Sequence, residues 1–165
     1  MKYKVLYIKQ IRILTVCLQI GLLIAGLTAF WIPQGVDFLV NDVQMGRLIN
    51  QQEWLIQVNQ GVQAVDHSYP FIWYGTDWMV FAHILFAILF YGLYKDPIRN
   101  KWLVQFGFIA CALILPLAAI LGYIRGIPMI WQTLDCAFGV IAGGILLVIY
   151  RNIKRLEYYN LRIGL

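Results

Sequence analysis

Few side chains in this sequence are equipped for chemistry, and the two that stand out are ionisable groups inside apolar runs, His83 and Asp135. An imidazole titrates near neutral pH and suits proton transfer. A carboxylate beside it would orient the ring. Arg125 would add a guanidinium, whose donors match carboxylate and phosphate oxygens. His83 and Asp135 are the catalytic candidates, and Asp77, His83, Arg125, Gln132 and Asp135 together would make one ligand-binding pocket. A structural reading stands level with this one. Arg125 would then pair with Asp77, Asp135 or a lipid phosphate, and His83 and Asp135 would satisfy each other between helices.

Other chemistry is poorly provided for. Cys17, Cys111 and Cys136 all lie in apolar stretches, without CxxC or Cys/His spacing. They read as small buried hydrophobes, and neither a metal site nor a thiol-redox centre is expected. P-loop and Rossmann glycine patterns are absent, so no cofactor is implied and the sequence leaves open whether the chain is an enzyme.

The elements that must carry these residues follow from composition. The chain has 165 residues, 61% hydrophobic and only 13% charged, with a net charge of +5. Soluble domains run at about 45–50% apolar and about 25% charged, and a chain of this length could not hide the excess from water. A bilayer solvates it. The basic residues gather beside apolar runs rather than on one polar face, which argues against nucleic acid and for membrane lipids as the surroundings.

Four stretches meet the roughly 20-residue requirement of a spanning helix: about 12–32, 76–94, 102–124 and 129–150. The predicted fold class is all-α, a single transmembrane domain built as a four-helix bundle. The first span follows Lys2, Lys4, Lys9 and Arg12 and reads as a retained signal anchor, since it is too long for a cleaved signal. Eleven Lys and Arg fall at the amino terminus, in the Lys95–Lys101 loop and in the tail, against Arg47 and Arg125 on the other side. The eleven-residue side, with both termini, is expected in the cytoplasm. His83 and Asp135 would then lie about 9 Å below the outer surface, at 1.5 Å per residue.

Between spans one and two, residues of about 39–66 show apolar positions at helical spacing, including Leu48, Leu55, Ile56, Val62 and Val65. They predict an amphipathic outer-face helix, ended by Pro70. Residues Arg151–Leu165 would continue span four as a basic amphipathic helix at the lipid headgroups. Gly139 and Gly143 form a GxxxG seam, which permits close helix approach and a homo-oligomer or partner membrane protein. Gln19 and Gln105 are expected to bond between helices, and Asp135 to point into protein.

Three strings carry a family resemblance. They are Tyr69-Pro70-Phe71-x-x-Tyr74-Gly75-Thr76-Asp77-Trp78 with His83 five residues on, Asp96-Pro97-x-Arg99-Asn100-x-Trp102, and Arg125-Gly126-Ile127-Pro128 followed by Asp135-Cys136. They resemble a group of bacterial four-span membrane proteins of no assigned activity. The resemblance covers roughly Tyr69 to Glu157 and implies a bacterial inner membrane, but no substrate. Quinone-linked thiol oxidases and vitamin K epoxide reductase-like proteins need paired cysteines that are missing. A dihaem cytochrome b needs four facing histidines, and only His83 lies in a span.

Three functions follow in order. The first is a small membrane protein binding a partner protein, lipid or small apolar ligand at a polar pocket in the outer half of the bundle. The second is a membrane-embedded enzyme acting on a lipid or apolar metabolite through a His–Asp pair. The third is a proton- or ion-coupled transporter, for which four spans without a repeat are few.

Overall fold

Hydrocarbon offers no partners for backbone amides, so a chain this apolar must satisfy them within its own segments. The computed structural model describes residues 2–162 and is all-α, without a strand among those residues. In order, the helices are α1 (Lys2–Leu27), α2 (Ile32–Asn41), α3 (Met45–Leu48), α4 (Gln52–Ser68), α5 (Trp73–Lys95), α6 (Lys101–Ile124) and α7 (Met129–Arg162). One-turn 3-10 segments, Thr28–Trp31 and Pro70–Ile72, lead into α2 and α5. Four stretches are long and apolar enough to cross a membrane: α1 running on into α2, α5, α6 and α7. The chain is a small multi-pass integral membrane protein of the helical type.

Two boundaries differ from the sequence reading. The first span does not stop at Pro33. Helical structure continues to Asn41, because Pro33 sits in the first turn of α2, where its missing N–H is not needed. The outer helix expected over 39–66 is not continuous. Gln44 and Asn50 have φ of 51° and 55°, and a right-handed helix cannot run through a left-handed residue. The surviving long piece is α4, which holds Leu55, Ile56, Val62 and Val65 and ends at Ser68, two residues before Pro70. The basic extension of span four is present as the last part of α7; residues 163–165 of that expected segment lie outside the described residues.

The chain divides into two compact units, Gly21–Phe86 and Met1–Ile20 with Ala87–Leu165. In the first unit, α2 packs on α4 through a ladder of amides. Asp37 Oδ1 accepts from Asn41 Nδ2 at 2.7 Å and from Asn59 Nδ2 at 3.1 Å, and Gln63 Nε2 donates to the Pro33 carbonyl at 3.0 Å. Here α1 also crosses α5, and a β-carbon on Gly26 would lie 2.6 Å from that of His83.

In the second unit, Leu103, Val104, Leu146, Ile149, Ile153 and Leu156 are buried, as are Ile11 and Leu93. Thr15 is buried and returns its hydroxyl to the Ile11 carbonyl. Buried Asn152 donates to Gln10 Oε1 at 3.2 Å. Lys101 and Glu157 form an ion pair of 2.6 Å that ties the start of α6 to the extension of α7. Gln19 Nε2 donates to the Ala87 carbonyl, the interhelical bond expected of it. Gln105 does not behave as expected. With Leu103, Val104 and Gly107 turned inward, the 100° step per residue carries Gln105 outward, where it is exposed.

The Asp96–Trp102 string is explained by the turn it makes. Asp96 Oδ1 accepts from the Arg99 amide, and Asn100 Nδ2 donates to the carbonyls of Gly92 and Asp96 at 3.0 and 2.9 Å. Those carbonyls, in the last turn of α5 and just beyond it, also accept the amides of Asp96 and Asn100, so the side chain adds a second bond to each. Asn100→Ala should therefore cost about 1–2 kcal/mol. In thermal unfolding of the detergent-solubilised chain this should read as a fall of roughly 2–8 °C.

Candidate functional site

The Arg125–Pro128 string also builds a turn. The Gly126 amide donates to the Tyr123 carbonyl at 3.3 Å and the Ile127 amide to the Gly122 carbonyl at 2.9 Å. This is the paired bonding of a Schellman cap, and Gly126 supplies the left-handed residue with φ of 63°. Pro128 then starts α7. The cap presents Arg125, fully exposed, at the tip of the α6–α7 hairpin.

Gln132 has a defined job in this hairpin. Its Nε2 donates to the Ile127 carbonyl at 2.7 Å, and its side chain lies across Gly122, where a β-carbon would overlap it. An amide spent on closing the turn is poorly placed to hold a ligand. Sequence spacing put Gln132 near Asp135 without revealing this bond, because the bond depends on the turn between the helices.

Asp77 and His83 belong to the Gly21–Phe86 unit, whereas Arg125, Gln132 and Asp135 belong to the other. Within each unit, no hydrogen bond or ion pair joins any two of them among the described residues. Asp77 is exposed near the start of α5. His83 lies with its β-carbon against Gly26, and its Nδ1 meets the Met79 carbonyl at 2.8 Å. A carbonyl can only accept, so Nδ1 carries the hydrogen in this contact.

Asp135 differs from expectation within its unit. It is exposed rather than turned inward. Gly139, one turn on, is buried against Cys111 and Ile114 of α6, and Gly143 also faces Cys111. The small-residue seam thus serves the packing of α6 on α7 inside the chain. Asp135 stands at the edge of that contact. It borders an open apolar strip of Leu134, Phe138 and Ile141, the last two 65% and 62% exposed. A β-carbon on Gly139 would meet its neighbours at 3.5 Å, ordinary contact. Gly139→Ala should therefore be accommodated and, by removing the roughly 1 kcal/mol that glycine costs within a helix, raise the unfolding temperature by about 2–4 °C.

A further polar hollow was missed by the sequence reading. In the α2–α4 segment a cavity of about 190 Å³ is lined by Asn41, Gln44, Arg47 and Gln52 with Leu55 below, and Arg47 donates to Gln44 Oε1 at 2.9 Å. The left-handed Gln44 makes this corner, and single-sequence periodicity carries no signal for it. Among the described residues, no cluster of His, Cys, Asp and Glu is arranged to hold a metal ion.

The fold defines the class, a small multi-pass helical membrane protein. No family model, curated protein or solved structure matches the chain.

Proposed function

We propose that the protein is a non-catalytic membrane subunit that receives a partner transmembrane helix along the Asp135 face of α7. The exposed Asp135 carboxylate carries this reading. It lies six residues, about 9 Å, along α7 from Met129, and a carboxylate at that depth is costly beside lipid tails. The strip of Leu134, Phe138 and Ile141 supplies apolar contact area beside it. No Lys or Arg occurs within 13–32, 76–94, 102–124 or 129–150. The matching group in this reading is a cationic side chain on another polypeptide. Arg125, at the hairpin tip of the same unit, offers a second polar contact near the membrane surface.

The strings that resemble bacterial four-span proteins, and the eleven-to-two split of basic residues, support a bacterial inner membrane with both termini in the cytoplasm as part of this reading. Reporter tags at the two ends should give the same compartment. The partner is sought by isolating the tagged protein from native membranes in mild detergent and weighing the complex by native mass spectrometry. A stoichiometric membrane protein that is lost from Asp135→Leu supports the reading. A strictly monomeric wild-type chain would sink it. A second copy of this chain in the partner's place would move the matching group onto its own residues.

A further inference from the structure

A groove of about 660 Å³ runs along the amino-terminal half of α1 beside the end of α5, wholly within one unit. Its walls change character along its length. Val5 and Ile8 line its first part, Lys9 and Arg12 follow, and Ile13, Val16 and Cys17 continue from them, with Tyr94 opposite. Ile13, Val16 and Cys17 are exposed, so this wall is open to whatever surrounds the helix.

Arg12 is held in place for an external ligand. Its Nε donates to the Tyr94 carbonyl at 3.2 Å, and its guanidinium carbon lies 5.2 Å from the centre of the Tyr94 ring. These contacts fix the plane of the guanidinium, while its two terminal nitrogens have no hydrogen bond to a described residue. Such a fork is prepared for an oxyanion. No acidic residue precedes Asp37 in the sequence, so no neighbouring carboxylate on this part of α1 neutralises Lys9 and Arg12.

Depth decides the class of ligand. Arg12 is the last charge before the apolar run, which sets it at headgroup level. Val16 and Cys17 lie four and five residues beyond Arg12, about 6–8 Å further along the helix. That is about half of one leaflet of a hydrocarbon core about 30 Å thick. A molecule that fits the basic pair and the apolar wall beyond it has a phosphate at the surface and a hydrocarbon chain below. We infer that this groove binds an anionic phospholipid, with its phosphate between Lys9 and Arg12 and one acyl chain along Ile13, Val16 and Cys17. The inference is independent of the Asp135 face and of any partner there.

The test uses the full chain in a non-ionic detergent and compares phosphatidylglycerol with phosphatidylcholine of the same acyl chains. Native mass spectrometry should show phosphatidylglycerol retained roughly five- to thirtyfold better, the effect of two basic side chains at a membrane surface. Lys9→Gln with Arg12→Gln should remove the preference. Lys95→Gln with Arg99→Gln, which lowers the charge equally at exposed positions, should keep it. Millimolar inorganic phosphate should not displace the lipid. In a chain with Cys111→Ala and Cys136→Ala, phosphatidylglycerol should slow maleimide alkylation of Cys17 several-fold. Adding Val16→Trp, which fills the groove and keeps both cations, should abolish that protection with helicity unchanged. Equal retention of the two lipids, a preference that survives loss of Lys9 and Arg12, or unchanged alkylation of Cys17 would each overturn the site. Displacement by phosphate alone would overturn the acyl-chain assignment.

Discussion

Asp135→Leu is expected to lose its membrane partner entirely while becoming, as an isolated chain, at least as heat-resistant as the wild type. The two effects have opposite signs for one reason. In the complex, a carboxylate removed from water is offset by a donor on the partner helix, and removing one member of such a pair leaves the other stranded at a cost of about 3–5 kcal/mol. That corresponds to a loss of association of at least a hundredfold. In the isolated chain no hydrogen bond or ion pair holds the Asp135 carboxylate among the described residues. Moving from Asp to Leu then favours the membrane-inserted helix by up to about 3 kcal/mol on insertion scales, less at the depth of Asp135 than at the bilayer centre. Asp135→Asn keeps a hydrogen-bonding side chain without the charge and should retain part of the complex. Unfolding temperature and complex mass, measured on the same three proteins, separate the cases. A monomeric wild type that Asp135→Leu destabilises would mean the carboxylate works inside the chain, and the partner reading would fail.

Gly26→Leu should give the largest loss of stability of any single change considered. The contact it disturbs is made close to two backbones. A β-carbon at position 26 would stand 2.6 Å from the His83 β-carbon and 3.2 Å from its Cγ, with the Val80 carbonyl at 3.5 Å. None of these is the far end of a flexible side chain, so α1 and α5 would have to separate where they cross. Even Gly26→Ala should cost about 1–3 kcal/mol as overpacking, roughly 2–12 °C in unfolding temperature; leucine should exceed that range. His83→Ala keeps its β-carbon and therefore should not rescue Gly26→Ala. Gly26→Ala with His83→Gly should recover stability, less the roughly 1 kcal/mol that a glycine costs within a helix. Rescue by alanine instead of glycine would show that the imidazole ring, rather than the crossing distance, sets the constraint.

These two residues mark how far the sequence could be read. An aspartate and a histidine inside apolar runs are visible to anyone counting charges, and both deserved selection. Their surroundings were not visible. His83 is tied to Met79 on its own helix and to the glycine opposite, and Asp135 is exposed beside an apolar strip. Gln132, selected as part of a pocket, is a fastening of the helical hairpin that the Arg125–Pro128 turn closes. Arg47, noted only for its charge, lines a hollow with Gln44.

Helix type, the number of crossings and the basic extension of α7 were determined by the amino-acid sequence on its own. Hydropathy and charge act residue by residue along one dimension, and a run of twenty apolar side chains has few alternatives in a bilayer. Tertiary structure decided the helix rotations, the crossing at Gly26, the closure of the seam at Gly139 and the break at Gln44. Each of those depends on contacts between residues far apart in the chain or on a single backbone angle, and a rotation of one residue's 100° is enough to move a polar group from the packed face to the open one.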